Sequence, residues 1–292
     1  MKHRRMSDRL FSLTVYALLS GLALTIVLPM MQVLTISVSP LAVVNRYGFH
    51  LIPTAFDFSG YRQVFHKQTI WTGYENTLIR TVLGTSITIV MTFLGAYPLS
   101  KRQLPHRAFW TGFIVLTMFF SGGLIPSYML VKNIGLMNTV WSLVLPGAVS
   151  AFMLLIVRNF IGSLPESLEE SAKIDGANDV YILWKIVVPL SMPILATVAL
   201  YAAVDHWNAW FDSMLYIRQE KKQVLQLILR KIIIDGTADP STTGAADAMN
   251  APTNSQAMKM AALVVTMLPI MCVYPFLQKY FVKGTLLGSV KG

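Results

Sequence analysis

The chain has 292 residues, of which 54% are hydrophobic and only 13% are charged. A soluble domain ordinarily carries about 25% charged residues, and the mean hydropathy is +0.55, so the composition excludes an ordinary soluble domain and indicates a membrane protein. The net charge of +10 does not indicate a nucleic-acid partner, because Lys and Arg collect on the cytoplasmic side of membrane proteins and no basic helix or RNA-type aromatic motif stands out.

The predicted elements begin with an apolar segment, Leu10–Val38, that follows the basic stretch MKHRRMSDR. It is far longer than the 7–15 apolar residues of a signal peptide, so it is predicted to remain as a transmembrane helix. A spanning helix needs about 20 mainly apolar residues, and several segments meet that length. These are Leu10–Val38, Asn76–Ser100, Ala108–Val131, Thr139–Gly162, Ile186–Asp205 and Ala257–Phe281.

The predicted fold class is an all-α membrane protein with six transmembrane helices, because the alternating segments of a barrel do not occur. An even number of spans places both termini on one side. The short basic stretches MKHRRMSDR and KRQLPHR indicate that this side is the cytoplasm. We therefore expect a multi-pass protein of the plasma membrane with a cytoplasmic N-terminus (1–9), one transmembrane domain (10–292), outer loops at 40–75 and 207–256, and a cytoplasmic tail at 282–292.

The third predicted span contains Ser121-Gly122-Gly123 shortly before Pro126. Proline removes a backbone donor and kinks a helix. Several other spans also contain proline, and each of those is either a packing kink or a bend that shapes a central cavity. The third span is the one that we expect to be discontinuous.

A polar segment, Ser163–Pro189, interrupts this apolar chain with the sequence SLPESLEESAKIDGANDVYILWKIVVP. Ser163 and Glu166 have the spacing of a capping box, which predicts the start of a helix. One apolar stripe is expected from residues that recur every four positions. These are Leu164, Leu168 and Ala172.

The same segment carries the residues of a helix end and of a second helix start. Gly176 follows Asp175 and can take the left-handed conformation that ends a helix, and Asn178 or Asp179 can cap the next one. Helix–helix connections usually take about 2–8 residues, so this segment is longer than a connector needs to be. It is either an interfacial helix on the lipid headgroups or a docking element for a cytoplasmic partner.

The spacing within this segment resembles a known motif. Glu170-Ser171-Ala172, then Gly176 and Ile186-Val187-Val188-Pro189 resemble the EAA motif of ABC importer membrane subunits, E-A-A, x3, G, x9, I-x-L-P. Ser171 stands in place of the first Ala and Val188 in place of Leu. Residues 163–189 are called the coupling element below, because the resemblance implies that they dock into a cleft of an ATPase subunit.

The resemblance extends over nearly the whole chain, through NRYGFHLIPTAFDFSGYRQVF, HWNAWFDSMLYI and YFVKGTLLGSVKG. These stretches are similar to oligosaccharide-type carbohydrate uptake permeases, the group of the maltose transporter's smaller membrane subunit, and within it to polysaccharide- or lipoprotein-type permeases. The resemblance implies a permease subunit of an ATP-driven importer for oligo- or polysaccharides, with uronate oligosaccharides as one candidate class. The outer loops carry nearly as many acidic as basic residues and give no electrostatic argument for an acidic substrate.

The resemblance also implies partners and site residues. The partners are a second, non-identical permease, two ATP-binding cassette subunits that hold ATP and Mg, an extracytoplasmic sugar-binding protein and membrane lipid; no cofactor is expected on this chain. The C-terminal residues Lys291 and Gly292 would contact the ATPase pair. The residues expected to couple to the ATPase are Glu169, Glu170, Ser171, Ala172, Asp175, Gly176, Ala177, Ile186 and Pro189.

Candidate sugar contacts lie near the outer end of the fifth span. Sugar sites combine aromatic faces with hydrogen-bonding groups, and the residues at this end of the span supply both. The alternative interpretation of the same residues is an interfacial aromatic belt. A charged residue within a span is a functional candidate, but Arg80 and Asp205 are expected near the headgroups. The candidates for the substrate pathway are Tyr201, Asp205, Trp207, Asn208 and Trp210.

Catalytic motifs are absent from the sequence. There is no G-x-x-x-x-G-K-[ST], H-E-x-x-H or G-x-S-x-G, and the five histidines lack metal-ligand spacing, so no enzyme and no metal site are predicted. A stand-alone secondary transporter or channel remains an alternative, which would show ionisable residues in mid-span and often internal repeats. A membrane-embedded enzyme is a further alternative, which the missing motifs disfavour.

Overall fold

The computed structural model describes residues 6–44, 48–49, 51–234 and 255–289, and all regular structure within these ranges is helical. This confirms the predicted all-α fold class. The chain divides into two compact units, which are described separately. The first contains residues 1–68 and 229–268, and the second contains residues 69–228 and 269–292.

The helices are numbered in chain order. They are α1 (Met6–Ser37), α2 (Leu41–Val44), α3 (Ser59–His66), α4 (Gln68–Ser100), α5 (Arg107–Phe119), α6 (Leu124–Asn133), α7 (Trp141–Val144), α8 (Ala151–Ile161), α9 (Glu166–Ile174), α10 (Asp179–Ile182), α11 (Val188–Leu190), α12 (Met192–Asn208), α13 (Phe211–Tyr216), α14 (Leu225–Ile234) and α15 (Ser255–Ser289). A π-helical turn, Leu183–Val187, joins α10 to α11, and a 3-10 turn, Glu220–Lys222, follows α13.

Three of the described helices are long and apolar enough to cross a membrane: Leu10–Ser37, Gln68–Ser100 and Gln256–Val273. Three further pairs of bent helices bring the number to six if each pair forms one span. The total is compatible with six predicted spans. One of these pairs joins α8 to α9. Because α9 carries three glutamates and a lysine, we place α9 outside the hydrocarbon, so α8 is the membrane part of that pair.

The third predicted span is broken where the sequence indicates. Helix α5 ends at Phe119, α6 begins at Leu124, and the two helix axes differ by 109°. The residues between them include the Ser-Gly-Gly stretch. The predicted discontinuity is therefore confirmed.

The fourth and fifth predicted spans need correction. Thr139–Gly162 is not one helix, because Pro146 and Gly147 lie in a turn between α7 and α8, and proline cannot supply the backbone donor that a continuous helix needs. The fifth span does not begin at Ile186. Residues up to Leu190 continue the helix that ends the coupling element, and a 77° bend at Ser191 separates them from α12.

The predicted outer loops also contain helices. The segment 40–75 includes α2, α3 and the first turns of α4, and the segment 207–256 includes α13, α14 and the first residues of α15. The tail predicted at 282–292 continues α15 as far as Ser289. Residues 235–254 of the second loop and 290–292 of the tail lie outside the described residues.

The first unit holds together through polar contacts at the end of α1. The hydroxyls of Ser37 and Tyr61 lie 2.8 Å apart, and the Asp57 amide donates to the Val38 carbonyl at 2.7 Å. The Asp57 carboxylate accepts from the Ser59 amide at 2.9 Å. Such a contact satisfies a free N–H at the start of a helix, and here it lies at the start of α3.

The core of the second unit connects the coupling element to the membrane helices. Its buried residues come from α4, α8, the helix that follows the Gly176 turn, and α12. They are Phe93, Ala96, Leu99, Leu154, Val157, Ile161, Ile182, Leu183, Val187, Leu195 and Val198. Packed interiors have low compressibility and transmit strain, so we expect a displacement of this part of the coupling element to be felt by α4, α8 and α12.

Candidate functional site

The turn of the coupling element has a defined hydrogen-bond pattern. Gly176 has φ +82°, a left-handed conformation that a residue with a Cβ adopts at a cost. Its amide donates to the Lys173 carbonyl at 3.0 Å, and the Ala177 amide donates to the Ala172 carbonyl at 2.9 Å. These two bonds form a Schellman motif. The helix end predicted at Gly176 is confirmed.

The two predicted helix starts have different outcomes. The Asn178 side-chain oxygen accepts from the Tyr181 amide at 2.8 Å, so Asn178 caps α10 as predicted. The capping box at Ser163 is wrong. Helix α9 begins at Glu166 after Pro165, and the Ser163 hydroxyl instead donates to the Phe160 carbonyl at 2.7 Å.

The adjacent residues Glu169 and Glu170 have different surroundings. The Glu169 carboxylate forms an ion pair with the Lys101 ammonium, which lies just after α4. The Glu170 side chain is exposed. Of the two glutamates, Glu170 is therefore the one that α9 presents outward, and it is also the one that matches the EAA motif.

The remaining residues that are expected to couple to the ATPase also divide into an exposed set and a set that packs inside the chain. Ser171, Asp175, Gly176 and Pro189 are exposed, whereas Ala172, Ala177 and Ile186 pack against the core of the second unit. The predicted apolar stripe of α9 is only partly correct, because Leu168 is 42% exposed. Packing of the alanines and Ile186 positions the element, and the exposed set is available to a partner.

Large apolar side chains also lie exposed around the turn. Ile174 is 86% exposed and Trp184 is 49% exposed, with Val180 and Tyr181 between these values. We place these residues outside the lipid with α9, and a cluster of exposed apolar side chains outside lipid is typical of a protein interface. A pocket of about 710 Å³ lies between α9 and the loop that follows α4, and both acidic and basic side chains line it.

A second group of polar residues surrounds Arg80 on α4, whose exposure is 2%. Its guanidinium donates to the Ala209 carbonyl and to an Asp212 carboxylate oxygen, both at 3.0 Å, and to the Leu143 carbonyl at 3.4 Å. It also pairs with the second Asp212 oxygen. A buried cation is tolerated when it is paired and hydrogen-bonded, and these acceptors meet that need.

This group fixes the end of α12. Ala209 is the residue after α12, where backbone carbonyls carry partial negative charge and favour a cation. His206 lies on the same end of α12, and a Cβ added at Gly84 of α4 would come within 2.3 Å of its Nε2. We call Arg80, His206, Asp212 and the carbonyls of Leu143 and Ala209 the arginine cluster.

Further polar contacts extend from α4 beside the arginine cluster. The Asn76 amide donates to the carbonyls of Lys221 and Gln223 at 2.8 and 3.0 Å. The Thr77 hydroxyl accepts from the Leu225 amide at 2.9 Å. One face of α4 therefore holds the segment between α13 and α14 in place. From the sequence, Arg80 is expected near the headgroups, and its role in this cluster was missed, although a polar Asn-Thr-x-x-Arg stretch in an apolar helix was a usable indication.

Asn138 is another residue that sequence reasoning missed. It has φ +59°, and its side-chain oxygen accepts from the amides of Arg218 and Gln219 at 2.6 and 3.2 Å. Its carbonyl accepts from the Lys222 ammonium at 3.0 Å. Nearby, burial and then the charge of Asp212 raise the pKa of Tyr216, so that phenol stays neutral at ordinary pH.

The five candidate substrate residues do not form one group. Tyr201, Asp205 and Asn208 are exposed on one face of α12, since they are four and three residues apart. Trp207 is only 5% exposed, and its ring lies 6.3 Å from the ring of Tyr74. Trp210 is partly buried against the packed cluster of Val131, Leu143, Tyr216, Ile217, Val224 and Leu227. Both tryptophans pack within this chain, and the substrate role of the five residues stays a prediction.

Two further predictions concern the C-terminal ATPase contacts and the absence of a metal site. Lys291 and Gly292, the expected C-terminal ATPase contacts, lie outside the described residues. Among the residues that the structure describes, no group of three or more His, Cys, Asp or Glu side chains could hold a metal ion. Neither observation concerns the residues of the coupling element or of the arginine cluster.

Comparison with known proteins gives consistent results along the chain. A model of the family described as "Binding-protein-dependent transport system inner membrane component" matches residues 9–286. The polygalacturonan/rhamnogalacturonan transport system permease protein YtcP of Bacillus subtilis (strain 168) is 42% identical over 290 residues, which cover 98% of this chain and 100% of that protein. Protein LplC of the same organism is 39% identical over 290 residues, which cover 99% of this chain and 98% of that protein.

A solved structure is similar in both sequence and fold. It is the crystal structure of a bacterial ABC transporter involved in the import of the acidic polysaccharide alginate. One of its chains superposes with a TM-score of 0.90 at 34% sequence identity, over 96% of this chain and 100% of that chain. The similarity therefore includes both units of the present chain and is not confined to the motif around Gly176.

Proposed function

Since this chain belongs to the family of binding-protein-dependent transport system inner membrane components, we propose that it forms half of the translocation pathway of an importer for acidic oligosaccharides. The second half would be a non-identical permease. Two ATP-binding cassette subunits would bind ATP and Mg and hydrolyse the ATP, and an extracytoplasmic binding protein would deliver the sugar. Both termini would then lie in the cytoplasm, on the side of the coupling element.

The observation that carries the coupling role is the exposed surface of the coupling element. Glu170 can form a charged hydrogen bond, and Ile174 and Tyr181 offer apolar area beside the Gly176 turn. A cleft that receives this turn would bury the apolar side chains, which water solvates poorly. Such a contact favours association with an ATPase subunit over an interfacial position on lipid, because the charged residues of α9 would contact that subunit too.

The proposed mechanism is a rigid-body transition. ATP-driven closure of the ATPase pair would displace the coupling element, and the buried residues Ile182, Leu183 and Val187 would transmit that displacement to α4, α8 and α12. Packed interfaces switch between discrete arrangements instead of deforming continuously. The pathway would thereby alternate between outward and inward access without covalent chemistry on this chain.

The substrate class is proposed from the relatives. The names of YtcP and of the solved importer specify polygalacturonan, rhamnogalacturonan and the acidic polysaccharide alginate. These polysaccharides share uronic acid units. On α12, the exposed side chains of Tyr201 and Asn208 can bond sugar hydroxyls, while the Asp205 carboxylate would repel a uronate. Sugar carboxylates would instead be met by cations, for which the exposed residues Arg218 and Lys221 are candidates.

The test is purification from the native membrane in mild detergent, followed by reconstitution with the co-purified binding protein. We expect a second permease and an ATPase pair to accompany this chain, and oligogalacturonate to stimulate ATP hydrolysis more than a neutral maltodextrin of equal length. A chain that purifies alone would favour the stand-alone transporter. Equal stimulation by the neutral sugar would remove the acidic substrate and leave the importer role intact.

A further inference from the structure

Lys101 occupies a distinctive position at the end of α4. Its amide donates to the Pro98 carbonyl at 3.1 Å, which fixes its backbone to the last turn of that helix. Its ammonium pairs with the Glu169 carboxylate of α9 and lies 4.2 Å from the centre of the Tyr97 ring. An ammonium over an aromatic face is attracted by the ring's negative face, so two interactions hold the Lys101 side chain.

Two ion pairs connect the loop after α4 to α9, and they differ in how far their side chains are exposed to solvent. In the Lys101–Glu169 pair, the two side chains are 30% and 21% exposed. In the Arg102–Glu166 pair, the atoms Nε and Oε1 lie 3.2 Å apart, but the side chains are 81% and 66% exposed. Water screens exposed pairs, and many contribute nothing measurable. The sheltered pair is therefore the stronger constraint on α9.

Helix α9 has few other constraints. None of its residues is fully buried, and its main apolar contact with the core is the half-buried Ala172. A nine-residue helix with so little buried surface can reorient about the Gly176 turn unless a directed contact holds it. The Lys101–Glu169 pair supplies that contact. Lys101 directly follows α4, and Arg80 lies about 30 Å away along the same helix.

We propose that Lys101, which lies outside the EAA motif, is a positioning residue of the coupling element. Through Glu169 it fixes α9 against the end of α4, so that a push on α9 displaces α4 instead of tilting α9. Glu169 is then an internal contact of this chain, and the ATPase meets Glu170. This inference rests on the proposed function, because the push comes from the ATPase subunits.

The experiment compares Lys101→Met with Arg102→Met in the complete reconstituted importer. Both variants remove one positive charge from the same loop, but only the first removes the sheltered pair. The readout is the ratio of sugar imported to ATP hydrolysed, per assembled complex. A variant that merely folds less well lowers both quantities together and leaves this ratio unchanged. We expect at least a fivefold fall of the ratio for Lys101→Met and less than a twofold change for Arg102→Met.

Charge reversal and a conservative variant complete the test. We expect Lys101→Glu and Glu169→Lys to lower the ratio singly, the double variant to restore at least half of it, and Lys101→Arg to behave like the wild type. An unchanged ratio in Lys101→Met overturns the proposal. If Lys101→Met does not assemble, the double reversal decides: recovery supports the pairing, and no recovery overturns it. A wild-type chain without ATPase subunits would instead contradict the proposed function.

Discussion

The coupling element and the arginine cluster meet the same long helix, α4, in opposite ways. The coupling element contacts the end of α4 through one sheltered and one exposed ion pair, and it leaves apolar side chains such as Ile174 uncovered. In the arginine cluster the Arg80 side chain is 3% exposed and that of Asp212 is 27% exposed, and the acceptors of the Arg80 hydrogen bonds all lie on this chain. The first region leaves apolar surface that a partner could cover, whereas the charge of Arg80 is paired within this chain, although its Nε has no hydrogen-bond partner.

The coupling element and the arginine cluster therefore differ in what they contribute, the first to function and the second to stability. An exposed ion pair contributes about 0–1 kcal/mol, so loss of a pair at α9 can change the position of α9 without unfolding the chain, because Ile182, Leu183 and Val187 remain in the core. Loss of one member of a buried pair costs about 3–5 kcal/mol, so the arginine cluster holds one arrangement. Substitutions should therefore affect coupling in the first region and thermal stability in the second.

The largest effect is expected for Arg80→Met. It leaves the Asp212 carboxylate without its buried cation and the Ala209 and Leu143 carbonyls without a donor, at a cost of about 3–5 kcal/mol. Thermal unfolding of the purified chain in detergent measures this loss. Arg62→Met is the control, because Arg62 is exposed. Equal melting temperatures for the two variants would show that the arginine cluster is not a stability element.

Gly84→Ala should have the next largest effect. The added Cβ would lie 2.3 Å from His206 Nε2, so the buried His206 ring or the spacing of α4 and α12 must change, and overpacking of this kind costs about 1–3 kcal/mol. The same melting experiment applies. Gly112→Ala on α5 is a matched control, since nothing lies within 4 Å of a Cβ there. A melting temperature for Gly84→Ala as high as that of the control would contradict the close approach of His206.

Gly176→Val tests the coupling element. A β-branched residue at φ +82° is strained by about 1–2 kcal/mol, which should displace the turn and uncouple ATP hydrolysis from uptake while the chain stays inserted. Gly135→Val is the control, because Gly135 has φ +77° and lies outside the coupling element. The control should lose similar stability and keep coupling. Normal uptake by Gly176→Val would remove the turn from the mechanism.

The smallest effect is expected for Asp179→Asn. The Lys173 ammonium lies 3.1 Å from the Asp179 carboxylate, with side chains 51% and 71% exposed, so the pair should contribute under about 1 kcal/mol. Melting and uptake should both stay near wild type, and the small difference should vanish at high salt. A loss of several kilocalories per mole would show that the coupling element is more enclosed than its exposure indicates.

The coupling element could be predicted from the sequence because the interactions that form its turn and its helix cap join residues close together in the chain. Gly176 and Asn178 act on residues within five positions, and a turn or cap of that length is visible in the residue order. The prediction at Ser163 failed within the same range, because Pro165 already set the helix start. Proline in the fourth and fifth predicted spans indicated a kink, but the complete breaks near Pro146 and Ser191 were missed, because an apolar run shows composition and not direction.

The arginine cluster could not be predicted because its members are far apart in the chain. Arg80 and Asp212 are 132 positions apart, and no local pattern states that they meet. Burial of Trp207 was missed for a related reason, since an aromatic residue at a helix end suits an interfacial belt and a packed core equally well. Only the fold decides between these environments.

The bend between α5 and α6 has a consequence for how the chain enters the bilayer. The two helices have 13 and 10 residues, and each is shorter than the length of about 20 that crosses the hydrocarbon alone. The extended backbone between them has polar groups that lipid tails do not solvate. Their junction must therefore be sheltered by protein or water, so the 109° angle depends on what surrounds these two helices within the bilayer.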